Sequence, residues 1–265
     1  MFELGKDSYG ILHEPVMQVP FNMLMARSVV SNHADGRIFV DSHESPQSFY
    51  IIHPYGMTFL CGCSSNEAFN EDLFDYFYGR SNKRKKDEWL QAFPRDWDIV
   101  MNRLVDEDIA IPHSRLNFKF DEAKFYEKYH QVDKSRYEII STPTEMLFEI
   151  SGSVVPKDYW KTPEQFAKMA KAFTIMIDGT PASTAFTSAR HDDKLEIGIE
   201  TMKEYYGKGL GYLACAKLIE YCLENNLEPV WSCLCKNTAS INLCKKLGFV
   251  ETLRMPYYHI PLTAH

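Results

Sequence analysis

The sequence has no apolar run approaching ~20 residues, so no helix of it is expected to span a bilayer. It has no excess of basic residues either. The 29 Lys and Arg stand against 36 Asp and Glu, for a net charge of −7. That balance argues against general nucleic-acid binding and against attraction to an anionic membrane surface. The first ten residues lack the basic start and apolar core of a signal peptide, and a cytoplasmic location is the expectation. Also missing is any Cys-x-x-Cys pair of the kind that binds zinc. The seven cysteines (Cys61, Cys63, Cys215, Cys222, Cys233, Cys235 and Cys244) include two Cys-x-Cys pairs, whose side chains share one face of a strand. They read as free thiols used as small hydrophobes, and no metal is expected.

What is present is an ordinary globular composition, 45% apolar and 25% charged over 265 residues, enough for two domains or one large one. The chain is organised around Tyr205-Tyr206-Gly207-Lys208-Gly209-Leu210-Gly211, between a strand-like run 195–201 and a helix-like run 210–225. Three glycines in five residues allow a tight turn whose N–H groups converge, and the helix that follows adds unpaired N–H groups and a partial positive charge. Such a stretch suits a phosphate or pyrophosphate.

Several readings compete for it. A P-loop needs Ser or Thr after its lysine, and Lys208 is followed by Gly209. The dinucleotide fingerprint is met by Gly209, Gly211 and Ala214, yet only 57 residues remain from Gly209 onward, too few for the βαβαβ unit. The acyl-CoA loop, Gln/Arg-x-x-Gly-x-Gly/Ala, matches residues 206–211 except at its first position, where Tyr206 stands. A glycine turn that binds nothing is the bland alternative.

Residues 1–136 read as an α/β domain of their own. Helices are expected at 21–31 and 67–77 and strands at 37–40, 49–52 and 57–60, while Trp89, Phe93 and Trp97 at intervals of four suggest a buried helix stripe interrupted by Pro94. Asn82 to Lys86 is a basic run that reads as a solvated loop. This half shows no constellation of catalytic residues, and its expected role is one wall of a substrate cleft. A boundary is expected at Asp133 to Ser135, and 137–265 form the second domain. There, strands at 137–140, 173–177, 182–188 and 194–201 are joined by turns at Asp178-Gly179 and His191-Asp192-Asp193, with 144–149 continuing the first strand. A helix follows Thr162-Pro163. After the glycine loop come a helix carrying Leu210, Ala214, Leu218 and Cys222, a strand at 230–235, a helix opened by Asn237, and strands at 249–250 and 257–260.

The loop, Asn237-x-x-Ser240 and Lys246-Leu247-Gly248-Phe249, in this order and spacing, resemble the GNAT superfamily of acetyl-CoA-dependent N-acetyltransferases over about residues 137–260. Two further stretches, Glu196-Ile-Gly-Ile-Glu-Thr201 and Pro229-Val-Trp-Ser-Cys233, resemble the group containing the zwittermicin A resistance protein, in which a smaller N-terminal domain comes first.

The resemblance implies a mixed, mainly antiparallel and splayed sheet flanked by helices, and direct transfer of an acetyl group to an amine, with a small-molecule metabolite or antibiotic as acceptor. It implies that Tyr206, Gly207, Lys208, Gly209, Leu210 and Gly211 hold the coenzyme A pyrophosphate. Ile199 and Thr201 would pair with the pantetheine arm, and Asn237 and Ser240 would approach from the far side of the splay. A backbone N–H of the same strand would receive the developing oxyanion. Glu200, nearer the loop, is the first choice of base and Glu196 the second, since alternation puts both on one face. Two positions depart from the family pattern. Tyr206 stands in place of Gln or Arg, and Cys244 stands where a tyrosine commonly protonates the thiolate, leaving Cys244, water, Tyr257 or Tyr258 as the acid. A non-catalytic acyl-CoA sensor is the alternative function, and a homodimer is left open.

Overall fold

Alternating apolar residues and two-residue turns build most of this protein as antiparallel ladders. The computed structural model describes residues 1–81, 83–129 and 137–262. Its contacts divide into two units, one of 1–115 and 254–265, the other of 116–253. The boundary expected at Asp133 to Ser135 lies outside the described residues.

The first unit runs β1 (Phe2–Glu3), α1 (His13–Met17), α2 (Leu24–Val30), β2 (Arg37–Val40), β3 (Ser48–Ile52), β4 (Met57–Gly62), α3 (Glu67–Phe77), β5 (Glu88–Phe93), α4 (Asp98–Asp106) and the start of β6 (Ile111–Phe120). Strands β2, β3 and β4 form an antiparallel meander, and β5 returns parallel to β4 after α3. Asn66 caps α3 by accepting the Phe69 N–H at 3.1 Å. The core packs α3 and α4 on the sheet through Leu73, Phe77, Leu90, Trp97 and Met101.

Here the structure corrects one expectation. Trp89 and Phe93 lie on β5, and Trp97 begins the turn into α4, so the three form no helix stripe. A spacing of four is shared by one face of a strand and one face of a helix, and pairing with β4 decides for the strand.

In the second unit the end of β6 and α5 (Glu122–Tyr129) are followed by β7 (Glu138–Ser141), α6 (Thr144–Glu149), α7 (Pro163–Met169), β8 (Ala172–Ile177), β9 (Thr180–His191), β10 (Lys194–Thr201), α8 (Leu210–Glu224), β11 (Glu228–Leu234), α9 (Thr238–Lys246) and β12 (Phe249–Ile260). Residues 144–149 are thus a helix rather than a continued strand, and the two closing strands are one. The β8–β9 hairpin turns at Asp178 and Gly179, both with positive φ (48° and 73°), the geometry that Asp-Gly supplies. Thr162 caps α7 by accepting the Gln165 N–H at 3.2 Å. The core lies under α8, where Leu213, Leu218 and Ile219 meet Leu195, Ile197 and Trp231 of the sheet. The sheet is mainly antiparallel, with β11 parallel to β10.

The two units share an order: a three-stranded meander, a helix, a parallel strand, a helix and a closing strand. They differ at the parallel pair. Strands β4 and β5 pair over five consecutive positions, from Met57↔Trp89 to Cys61↔Phe93. Strands β10 and β11 pair over three, from Lys194↔Glu228 to Glu196↔Val230, and then part.

Candidate active site

The parting of β10 from β11 lies beside the glycine-rich loop. Gly207 and Gly209 have φ of 77° and 80°, a backbone that other residues adopt only under strain. Nothing lies within 4 Å of where a Cβ would stand at either, so this side of the loop is open. Gly209 is the N-cap of α8 and provides no side-chain acceptor for the helix's first N–H groups. Leu210 is buried, so it can serve a ligand only through its backbone. Tyr206 is exposed, and the Lys208 ammonium stands 4.8 Å over the Tyr205 ring. A Cβ at Gly211 would come within 3.5 Å of Thr201 Oγ1 and 3.8 Å of Ile199 Cγ1, so the loop folds down onto the end of β10. An open backbone turn at the positive end of a 15-residue helix suits a pyrophosphate.

Alternation along β10 separates two faces. Leu195 and Ile197 point into the α8 core, with Ile199 packed against it. Glu196, Gly198 and Glu200 point the other way. Glu196 is 3% exposed and sits at the last paired position before the strands part. The Ser232 hydroxyl of β11 donates to its Oε1 at 3.0 Å. Opposite it, Ser188 is the extra residue of a β9 bulge, and its hydroxyl donates to the Glu196 carbonyl at 3.1 Å.

Glu200 is held differently. Its Oε2 accepts the N–H groups of Ser153 and Val154 at 2.9 and 2.8 Å, and the Ser153 hydroxyl at 3.3 Å. The loop approaches so closely that a Cβ at Gly152 would fall 2.4 Å from Glu200 Cδ. Ser232, Ser153, Val154 and Gly152 escaped the sequence reading because only register and loop closure bring them to the carboxylates.

Asn237 and Ser240 open α9, directly after β11. Asn237 caps α9, accepting the Ser240 N–H at 3.0 Å, and Ser240 Oγ accepts the Trp231 indole N–H at 3.1 Å. Cys244 does not suit the acid role. It is fully buried, its thiol donates to the Ile241 carbonyl at 3.2 Å, and burial pushes its pKa up to about 12. Giving that proton to a thiolate of ordinary pKa, about 8.5, runs uphill. Tyr257 and Tyr258 belong to the first unit, where Tyr257 stacks on Trp89 at 5.1 Å. All seven cysteines are unbridged. No helix among the described residues is long and apolar enough to cross a membrane.

A family model described as GNAT acetyltransferase matches residues 16–258. An uncharacterized N-acetyltransferase of Bacillus subtilis (strain 168), YdfB, is 27% identical over 263 residues, with 97% of each chain covered. A GCN5-related N-acetyltransferase-like protein from Streptococcus suis 89/1591 shares the fold with a TM-score of 0.74 at 20% identity, covering 96% of this chain and 99% of that one. A tandem GNAT protein from the clavulanic acid biosynthesis pathway shares it with a TM-score of 0.57 at 11% identity, covering 98% and 95%. The chain is therefore an acetyl-CoA-dependent N-acetyltransferase, and it belongs to the GNAT acetyltransferase family.

Proposed function

We propose that this enzyme moves an acetyl group from acetyl-CoA to the amine of a small molecule by direct attack, with the second unit as its active site. The observation that carries the reading is the parting of β10 from β11 beside an open glycine loop at the start of α8. The N–H groups of Gly207 to Gly211 receive the pyrophosphate. Residues 197–201 present a strand edge on the side that β11 vacates, where an extended arm adds as a further strand. Asn237, through its amide NH2, and Ser240 line the opposite wall. When bound, acetyl-CoA supplies an acetyl group activated as a thioester.

The roles of the two carboxylates follow from distance along β10. Five residue steps span roughly 16 Å. An arm anchored at the loop and laid along the strand brings its reacting end to the vertex, beside Glu196 rather than Glu200. Glu196 is accordingly the base that takes the amine proton, and Ser232 orients it through the bond to Oε1. Backbone N–H groups of β10 on the vacated edge face the same vertex and stabilise negative charge there.

The segments 196–201 and 229–233 support assignment to the zwittermicin A resistance group. Unbridged cysteines agree with a cytoplasmic setting.

Thermal denaturation with ligands tests the cofactor, because a ligand that binds only the native state raises Tm. Acetyl-CoA should raise it and NADH should not, and a shift with NADH alone overturns the reading. Release of free thiol on adding an amine panel tests the chemistry. Acetyl-CoA binding with no amine-dependent release would leave a sensor in place of an enzyme.

A further inference from the structure

The glycine loop carries two side chains that a pyrophosphate held by backbone N–H groups leaves unused. Tyr206 is 60% exposed, and no other tyrosine among the described residues is exposed. Its side chain has no hydrogen-bond, ionic or ring partner among those residues. The backbone beneath it is fixed: the Tyr206 N–H donates to the Lys203 carbonyl at 3.2 Å, and φ and ψ are extended at −60° and 148°. An aromatic face held in water is apolar surface that a flat partner can cover. Lys208 is the one charged side chain of residues 205–211. Its ammonium stands 4.8 Å over the Tyr205 ring, and that ring packs against the core under α8, so the cation is held on the loop. It has no carboxylate partner among the described residues. In a chain of net charge −7, attraction for an anion has to be local, and Lys208 supplies it here.

We propose that Tyr206 and Lys208 read the adenosine 3′-phosphate end of coenzyme A, the ring stacking on the adenine and the ammonium pairing with the 3′-phosphate. The inference rests on the acetyltransferase reading and adds which part of the cofactor these side chains select. The argument follows the ligand outward. Backbone N–H groups meet the pyrophosphate, and the pantetheine arm runs from it along β10. What remains on the other side of the pyrophosphate is the adenosine, with a flat base and a phosphate. Aromatic rings stack on a base whatever its hydrogen-bonding edge, and a lysine takes a phosphate as a point charge. A Gln or Arg at position 206 would offer donors to the pyrophosphate, whereas Tyr206 offers a ring face to the base.

The test is isothermal titration calorimetry on the full chain with acetyl-CoA, its 3′-dephospho form and S-acetyl-4′-phosphopantetheine, which lacks the adenosine altogether. Both positions are exposed, so the variants keep the core intact. Tyr206→Ala should weaken acetyl-CoA and the 3′-dephospho form by about 5- to 150-fold and leave S-acetyl-4′-phosphopantetheine unchanged. Tyr206→Phe should retain the affinity, because the ring face and not the hydroxyl makes the contact. Lys208→Met should weaken acetyl-CoA about two- to five-fold and leave the 3′-dephospho form unchanged. Equal weakening of all three ligands by Tyr206→Ala, or no weakening of any, overturns the adenine assignment and leaves the acetyltransferase reading intact. Equal weakening of acetyl-CoA and its 3′-dephospho form by Lys208→Met overturns the 3′-phosphate assignment. Absence of acetyl-CoA binding to the unmodified chain removes the cofactor reading itself and this inference with it.

Discussion

A carboxylate that is 3% exposed must be met by donors or give up its charge. Glu196 has the Ser232 hydroxyl and a position at the vertex of two strands. Glu196→Gln preserves shape and removes the base. Turnover should fall by on the order of 10²–10⁴-fold at neutral pH with acetyl-CoA affinity unchanged. The deficit should shrink as pH rises, because the amine then deprotonates itself. Steady-state kinetics across neutral and alkaline pH measure this, and unchanged turnover at neutral pH would pass the role to Glu200 or to water. A second residue contributes to acid sensitivity. His53 is buried, its Nδ1 accepts the Tyr55 N–H at 3.1 Å, and burial pushes its pKa down to about 3. Between there and the ordinary value near 6.5, the unfolded chain binds more protons than the folded one. Stability from this site is fully present above pH ~6.5 and declines below it, by about 1.4 kcal/mol per pH unit. Urea titrations at stepped pH should show that slope, and His53→Asn should flatten it.

At the element scale the two units differ in their parallel strand pairs. Strands β4 and β5 stay joined along five residues, and the turn into α3 is capped by Asn66. Strands β10 and β11 part after three, and the turn into α8 carries glycines at positive φ. Hydrogen exchange should therefore show acetyl-CoA protecting amides of 197–201 and 207–211 and leaving 57–61 unchanged. Equal protection of both segments would contradict the assignment. Gly209→Val places a β-branched residue at φ 80° and fills the open side of the loop. It should abolish the acetyl-CoA thermal shift, whereas Glu196→Gln should retain it.

For the whole molecule, the division at 115/116 has a consequence for dissection. Leu116, Phe118, Phe125 and Tyr129 are buried in the second unit's core. A fragment of 137–265 lacks all four, and large apolar losses from a core cost about 2–5 kcal/mol each, against a total of about 5–15 kcal/mol for a domain. It should show no cooperative unfolding transition by circular dichroism, in contrast to the full chain. A cooperative transition for that fragment would show that the segment before 137 is dispensable.

The sequence by itself determined what depends on neighbours along the chain. The Asp178-Gly179 hairpin, the Thr162 and Asn237 caps, and strand, glycine loop and helix at 194–224 are local chemistry, and they suffice to indicate both fold and cofactor class. Trp89, Phe93 and Trp97 were ambiguous because a spacing of four fits a helix face and a strand face alike, and 144–149 is too short for its period to show. Only the tertiary structure decided the rest. It put Ser232 against Glu196 and Ser153 and Val154 against Glu200, it sank Cys244 into the core, and it closed one parallel pair while opening the other. These are matters of register and burial between segments far apart in the chain, where no local pattern records the partner.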